Sequence, residues 1–380
     1  MTAAKTAIVG IGTTRQGEIP GLTADEIAVE AAVRALADAG IGKAALDGLV
    51  TCKPPRSTAG TGTDEQMAQL LGINPDFSSM LDYGAGAFSL QLAALAVEAG
   101  LASTVLLTFG SNARSARVNF SAAGGPAAEW NAAYGFVHIA GPAAMAFRRH
   151  MALYGTTEEQ LGWIAVSQRE WAAANPRAIF RDPLSIQDYL DAPYQVAPLR
   201  RPDLTMISDG GVAIVLTRAD RVSDFAGAPV YLHGMAQASG MRADQNADKL
   251  MRSWIGRIAD QVYRRAGIGP AAVDLAYLQD ATSVWVLQQL EYYGFCGIGE
   301  AGPFVAEGHI RPAGTLPVNT GGGQLSESYM WNWLQLYEAV DQLRGNCGPR
   351  QVAGAQVALY AQTHDFWKGA ATILSSHRSL

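Results

Sequence analysis

The sequence has few cysteines and few charged side chains. The three cysteines, Cys52, Cys296 and Cys347, are odd in number and widely spaced, which argues against a disulfide framework or a cysteine-based metal site. Charged residues make up only 16% of the 380 residues, and the net charge is −6. Binding of nucleic acid needs a basic surface, so this composition argues against a nucleic-acid partner.

The sequence also lacks long apolar runs. Its apolar stretches are short and interrupted by glycine, so we expect no membrane span. The first residues lack the features of a signal peptide, and the cytoplasm is the expected compartment. The glycine spacing at residues 82–87 is that of neither a P-loop nor a dinucleotide-binding fingerprint, so a nucleotide cofactor is not supported.

Hydrophobic residues make up 49% of the sequence, and their pattern is typical of an α/β protein. Short apolar runs at residues 6–12, 47–51 and 104–109 predict buried strands. Thr23, with Glu26 three residues later, predicts a capping box at the start of a helix.

The pattern changes between residues 112 and 201. Aromatic, Pro and Arg residues increase there, and helices at 142–154 and 157–175 are predicted without strands between them. A strand at 209–217 then returns to the sheet, and a second α/β series follows. We therefore predict two α/β halves, residues 1–225 and 226–380, with an inserted loop domain at about 112–201.

Three polar segments lie where chemistry is expected. Residues 82–87 lead into a helix, and residues 317–329 contain a triple-Gly turn, so both can place backbone amides beside an anion. Residues 277–283 follow an apolar strand, at the sheet end where ligands bind in α/β proteins. The simpler interpretation is two tight turns, with Asp280 capping the helix that contains Trp285.

Together these segments resemble the thiolase superfamily over nearly the whole chain. The helix-opening Cys-x-x-Gly of thiolases matches Tyr83-Gly-Ala-Gly86, so Tyr83 stands at the nucleophilic cysteine. The Asn-x-x-Gly-Gly segment matches residues 319–323, and Tyr329 stands at the histidine that follows it. The His-Asp motif matches Gln279-Asp280, and residues 208–212 match the segment that closes the first half.

The closest resemblance is to sterol-carrier-protein-type thiolases and to thiolase-like aldolases of steroid side-chain degradation. The second thiolase cysteine has no counterpart at residues 360–368, so thiolysis, which needs a thiolate, is not expected. The aldolases share the Gly-Gly-Gln-Leu-Ser-Glu-x-Tyr run that ends here at Tyr329. They have a tyrosine at the position of Gln279, so Tyr83 or Tyr277 would have to compensate.

The resemblance implies a retro-aldol lyase that cleaves a bulky β-hydroxyacyl-CoA without a covalent intermediate. Tyr329 would transfer the proton, with Tyr83 as its partner, and Gln279 would donate a hydrogen bond to the thioester oxygen. Asp280 is a further catalytic candidate. Backbone amides would stabilise the enolate at four glycines, Gly84, Gly322, Gly323 and Gly369.

The resemblance also implies a five-layered αβαβα arrangement and a homodimer. Thiolase-like aldolases work with a small partner of the DUF35 type, built from an OB-fold and a zinc ribbon, so a heterotetramer is expected. No cofactor is expected, because the CoA thioester is the substrate. The alternative is a non-catalytic subunit that binds acyl-CoA or serves as a scaffold in such a complex.

Overall fold

The computed structural model describes residues 3–53, 63–82, 86–120, 133–135, 138–240, 251–364 and 368–380. Tyr83 and Gly84 lie outside these residues, so the structure says nothing of their predicted roles. The described elements, in chain order, are β1 (Thr6–Thr13), α1 (Ala24–Ala39), β2 (Gly48–Cys52), α2 (Asp64–Leu71), β3 (Phe77–Leu81), α3 (Gly86–Glu98), β4 (Thr104–Ser111), α4 (Ala140–Tyr154), α5 (Glu158–Ala173), α6 (Ile186–Asp191), β5 (Tyr194–Val196), β6 (Leu199–Arg200), β7 (Gly210–Arg218), β8 (Val230–Ser239), α7 (Trp254–Ala266), β9 (Leu275–Leu278), α8 (Ser283–Tyr292), α9 (Ala301–Ala306), α10 (Gly323–Ser326), α11 (Trp333–Arg344), β10 (Val357–His364) and β11 (Lys368–Ser375).

Helix α1 shows how small residues bring helix and sheet together. The predicted capping box is confirmed, since Thr23 accepts from the Glu26 amide and the Glu26 side chain accepts from Thr23. A Cβ atom on Gly12 would lie 2.3 Å from the Ala31 carbonyl oxygen, so glycine allows α1 to pack directly on β1.

The large sheet has the strand order β3-β2-β4-β7-β1-β8-β11-β10-β9. β2 is parallel to β3 and β4, and β7 lies antiparallel between β4 and β1. The first-half strands join those of the second half where β1 pairs with β8. In the second half, β9 is parallel to β10, so the carboxyl ends of these two strands lie at the same edge.

The helices form three layers around the strands, as the fold prediction required. α1 and α2 cover the outer face of the first-half strands, and α7 packs on β8 and β11 of the second half. α3 and α11 contact strands of both halves and so form the central layer. Their buried apolar residues fill the space between the two sets of strands. The five-layered αβαβα prediction is confirmed.

The predicted inserted segment contains α4, α5, α6 and the antiparallel pair β5–β6. No strand lies between the described helices of this segment, as predicted, and the short pair follows the last of them. α4 begins two residues before the predicted start at Pro142. α5 packs on α8, α9 and α10, so the insertion covers the second half around the triple-Gly turn. None of the described helices is long and apolar enough to cross a membrane.

Candidate active site

The triple-Gly turn is held against the end of β9 by Asn319. Val318 forms a parallel bridge with Ala276, and the Asn319 side chain then makes two 2.9 Å bonds to Leu278. Its Oδ1 accepts from the Leu278 amide and its Nδ2 donates to the Leu278 carbonyl. Asn319 has a φ of 51°, a left-handed conformation that asparagine tolerates better than most residues. This places the turn directly beside Gln279.

Asp280 is fully buried and holds the short helix α10. Its carboxylate accepts from the Leu325 amide at 3.2 Å and from the side-chain amides of Gln324 and Gln335 at 3.3 and 2.7 Å. Burial raises the pKa of Asp280 to about 6, against the effect of these hydrogen bonds. The prediction that Asp280 caps the helix containing Trp285 was wrong. That helix, α8, has Thr282 at its N-cap, while the Asp280 carboxylate points to α10 instead.

Gly322 and Gly323 both have positive φ angles, 103° and 60°. A Cβ on Gly323 would lie 2.1 Å from Oδ2 of Asp280, and one on Gly322 would lie 2.6 Å from Cβ of Ala172 in α5. The turn therefore needs glycine for its backbone and for its close packing. The Gly322 amide donates to the Asn319 carbonyl at 2.7 Å, so this amide already has a hydrogen-bond acceptor within the turn.

Gln279 lies at the carboxyl end of β9 and is 1% exposed. Its Oε1 accepts from the Thr363 amide at 2.9 Å, at the end of β10, and this bond fixes the direction of the side-chain amide. Within the described part of the chain, its Nε2 donates no hydrogen bond. This group is therefore available to a carbonyl oxygen of a ligand.

Tyr329 follows α10 and is half-buried. Its backbone amide donates to Oγ of Ser208 at 2.8 Å, which joins the triple-Gly segment to the end of the first half. Phe120 lies edge-on to its ring at 6.1 Å, and the Trp331 ring lies 5.3 Å away. The phenol therefore stands in an aromatic setting. The turn that follows it bonds to Gln362, next to Thr363, which bonds to Gln279.

A strained turn comes directly after Tyr329. Trp331 and Asn332 have φ angles of 47° and 71°, and neither is glycine. Left-handed non-Gly residues cost about 1–3 kcal/mol each and persist where surrounding contacts hold them. Trp333, the first residue of α11, is fully buried and stacks on Phe109 of β4 at 5.8 Å.

The start of α3 and the strand β10 meet near this turn, through residues that the sequence analysis did not identify. The Ala87 amide donates to Oε1 of Gln362 at 2.8 Å. A Cβ on Gly86 would lie 2.7 Å from the Tyr360 hydroxyl, so the glycine makes room for that ring. The first of these contacts joins residues 275 positions apart, and no local pattern in the sequence indicates either contact.

Gly369 lies in β11, where it pairs with Thr363 and Ala238. A Cβ there would lie 2.9 Å from the Trp254 ring of α7. Packing of α7 on the strand thus explains the glycine, and its predicted contribution to an oxyanion site remains a prediction.

An ionic cluster lies beneath α10. Arg177, in the inserted segment, pairs with Glu327 at 3.1 Å and with Glu338 at 2.6 Å, and Arg350 also pairs with Glu338. Burial raises the pKa of Glu327 to about 7, although Arg177 opposes the shift. The carboxylates of Glu338 and Asp341 and the Cys347 thiol lie close enough together to be compared with a metal site. However, the guanidinium groups of Arg177 and Arg350 already neutralise Glu338.

The cysteines do not supply a reactive thiolate. Cys52 and Cys347 are buried, and Cys296 is half-buried. Burial raises the pKa of Cys296 to about 12 and raises that of Cys347 further still. Thiolate chemistry of the kind a thiolase needs is therefore not available from Cys296 or Cys347.

The chain is similar to known proteins of one superfamily. Residues 236–377 match the family described as "Thiolase C-terminal domain-like". A steroid side-chain-cleaving aldolase of Thermomonospora curvata is 36% identical, over 89% of this chain and 90% of its own. A 17-hydroxy-3-oxo-4-pregnene-20-carboxyl-CoA lyase of Mycobacterium tuberculosis is also 36% identical, over 94% and 96%. The solved "Ltp2-ChsH2(DUF35) aldolase" has a TM-score of 0.90 at 33% identity and covers 100% of this chain and 99% of that one.

Fold and site together define a thiolase-fold protein whose described cysteines are not placed as catalytic thiolates. The chain belongs to the thiolase superfamily, in the sterol-carrier-protein-2-like branch that contains the steroid side-chain-cleaving aldolases. It is a carbon–carbon lyase of the aldolase type and not a thiolase. The predicted boundary between halves at residue 225 stays a prediction.

Proposed function

We propose that the protein cleaves a bulky β-hydroxyacyl-CoA into a ketone or aldehyde and a shorter acyl-CoA. A base removes the proton of the β-hydroxyl, and the bond between the α- and β-carbons breaks. Its electron pair forms the enolate of the shorter thioester, which is then protonated at the α-carbon. The observation that carries the proposal is the placement of Tyr329, a half-buried phenol presented by a strained turn.

In this proposal Tyr329 transfers the proton and Gln279 binds the thioester oxygen. The phenol lies three residues after the end of α10. The Nε2 of Gln279 is held in direction by the bond from Thr363 to its Oε1. A fixed donor aimed at a developing enolate oxygen stabilises the transition state. Asp280 acts indirectly, because its carboxylate binds two donors of α10 and one of α11. Tyr83 remains the proposed partner of Tyr329.

The proposed substrate carries a large apolar acyl group. Phe120 and Trp331 both lie against the Tyr329 ring, which suits a flat hydrophobic ring system beside the reacting carbons. The names of the two 36%-identical relatives, one a steroid side-chain-cleaving aldolase, support a steroid-sized group. The CoA thioester is the substrate, and we propose that no further cofactor takes part.

We further propose a homodimer that binds a DUF35-type partner with an OB-fold and a zinc ribbon, giving a heterotetramer in the cytoplasm. The edge strand β3 supports the dimer, since it leaves alternate residues exposed, including Met80. The solved aldolase named with a DUF35 component supports the second partner.

The test is a cleavage assay on a panel of β-hydroxyacyl-CoA thioesters, with and without a co-expressed DUF35-type partner. We expect Tyr329→Phe to lower kcat by about 10²–10⁴-fold, the usual contribution of a proton-transfer group. Tyr263→Phe is the matched control. Tyr263 lies in α7, and its buried hydroxyl, which the substitution removes, donates to the Tyr293 carbonyl. It should retain activity within about twofold.

Each outcome decides between hypotheses. Cleavage that is lost in Tyr329→Phe and kept in the control supports both the reaction and the role of Tyr329. Equal cleavage by both variants supports the lyase reaction but rejects the proton-transfer role of Tyr329. Acyl-CoA binding without cleavage, with the partner present, favours the non-catalytic subunit instead.

A further inference from the structure

The turn that presents Tyr329 is anchored by one face of β10. Tyr360 and Gln362 are two residues apart, so their side chains leave the strand on the same side. The Tyr360 hydroxyl donates to the Asn332 carbonyl at 3.1 Å, and Nε2 of Gln362 donates to the Trp331 carbonyl at 3.0 Å. Both left-handed residues of the turn thus have their carbonyls bound by β10.

The turn also bonds back to the backbone of the same strand. Nδ2 of Asn332 donates to the Ala361 carbonyl at 2.9 Å. Left-handed non-Gly residues persist only when the surrounding contacts determine their conformation, and these three bonds provide such contacts. Without them, Trp331 would be expected to relax to a more ordinary backbone conformation and move Tyr329 with it.

Gln362 differs from the other two anchors because its amide binds a second element. While Nε2 donates to the Trp331 carbonyl, Oε1 accepts from the Ala87 amide in the first turn of α3 at 2.8 Å. The side chain is fully buried, so water does not substitute for either bond. One planar amide therefore fixes the distance between the start of α3 and the turn after Tyr329.

We propose that Gln362 is a positioning residue that sets Tyr329 relative to the start of α3. The inference rests on the proposed function, in which Tyr329 transfers the proton. A side-chain amide of this length supplies both groups. Glutamate at this position keeps the acceptor for Ala87 but loses the donor to Trp331, and leucine loses both.

The experiment compares Gln362→Leu with Gln91→Leu in the full chain with its partner. Gln91 is a suitable control, since it is also buried and donates to the Ala371 carbonyl at 2.9 Å, away from the Tyr329 turn. Hydrogen–deuterium exchange of the peptide that covers residues 329–333 is measured in both variants, together with kcat, KM and thermal unfolding.

We expect exchange in residues 329–333 to rise by about tenfold or more in Gln362→Leu and to stay near wild type in Gln91→Leu. We also expect kcat to fall by about 10–100-fold with KM changed by less than about threefold, because a displaced catalytic group affects the chemical step most. Gln362→Glu should also raise the exchange rate and lower kcat. It serves as the second variant if Gln362→Leu does not fold.

Unchanged exchange in residues 329–333 overturns the inference, and so does a wild-type kcat despite faster exchange. A loss of kcat that the Gln91 control reproduces also overturns it, since the effect would then follow general stability. If the wild-type protein cleaves none of the thioesters, the proposed function fails. In that case exchange alone decides whether Gln362 fixes the turn.

Discussion

The side chain of Asn319 pairs with both backbone groups of Leu278, at 2.9 Å for each bond. In this way a single amide side chain continues the bridge that Val318 makes to Ala276. The pairing fixes the triple-Gly turn beside Gln279, the residue that directly follows β9.

Replacement of Asn319 by alanine should destabilise the protein by about 2–5 kcal/mol, because two buried backbone groups of Leu278 lose their partners. Asn319→Gly removes the same bonds but tolerates the φ of 51°, so it should be less destabilising than alanine. Urea unfolding of both variants measures the difference. Losses below about 1 kcal/mol in both would mean that water or another group replaces the side chain.

Gly323→Ala should be far more damaging than Gly345→Ala. Both glycines have positive φ, 60° and 79°, but a Cβ on Gly323 would meet Asp280 at 2.1 Å, while nothing lies within 4 Å of one on Gly345. We expect a loss of about 1 kcal/mol at Gly345 from backbone conformation alone. At Gly323 we expect about 3 kcal/mol or more, together with loss of lyase activity. Equal effects in denaturant unfolding would rule out the contact with Asp280 as the cause.

The carboxyl of Asp280 should make stability fall as pH rises from about 4 to 6. Its pKa is raised by burial from 3.8 to about 6, so the native state binds more protons than the unfolded state in this range. The unfolding free energy therefore decreases with pH, by up to about 3 kcal/mol for this group.

Asp280→Asn isolates that contribution. The variant loses an acceptor, which lowers stability at every pH, but it has no titration at this position. The free-energy difference between wild type and variant should therefore be largest near pH 4 and should narrow towards pH 7. Urea unfolding at four pH values measures this difference. If the unfolding free energies of the two proteins changed with pH in parallel, Asp280 would not be the source of the pH dependence.

Arg177→Ala should destabilise the protein by about 3–5 kcal/mol, because it leaves Glu327 and Glu338 buried with less compensation. Arg218→Ala is the control. Its pair with Asp220 is exposed to solvent, and such pairs contribute little to stability. Denaturant unfolding measures both losses of stability. Similar losses in the two variants would show that the buried cluster stabilises the protein no more than an exposed ion pair does.

Thiol reagents should leave lyase activity unchanged. Burial raises the pKa of Cys296 to about 12, so little thiolate forms at neutral pH, and Cys52 and Cys347 are buried. Incubation with iodoacetamide, followed by the cleavage assay and by mass spectrometry of labelled peptides, measures both activity and modification. Inactivation that parallels labelling of one cysteine would reverse the conclusion that no thiol takes part.

Local patterns in the sequence were enough to predict several elements. The capping box of Thr23 and Glu26 is a signal over four residues, and the structure contains it. The apolar run at residues 104–109 predicted a buried strand, and β4 is buried along its length. Strand β3 was missed because it is an edge strand with alternate residues exposed and only modest apolar character.

The site depended on contacts that the sequence does not display. The prediction for Asp280 used its neighbours in the chain, whereas its carboxylate binds Leu325, 45 residues away. Gln362 bonds to Ala87 across 275 residues, so nothing near it in the sequence marks its position. The resemblance to thiolases supplied Tyr329 and Gln279 because family motifs carry such long-range information.

The place of β1 in the sheet affects how the protein is made. This first strand pairs with β7 and β8, and Thr6 meets Arg218 and Leu232. At about 5–20 residues per second, a ribosome needs roughly 10–40 s after adding Thr6 to add Arg218. During that interval the newly made apolar strand has neither of its neighbours. A nascent-chain chaperone is therefore expected to bind this amino-terminal segment, and late pairing of β1 is expected to limit the rate at which the first half completes its fold.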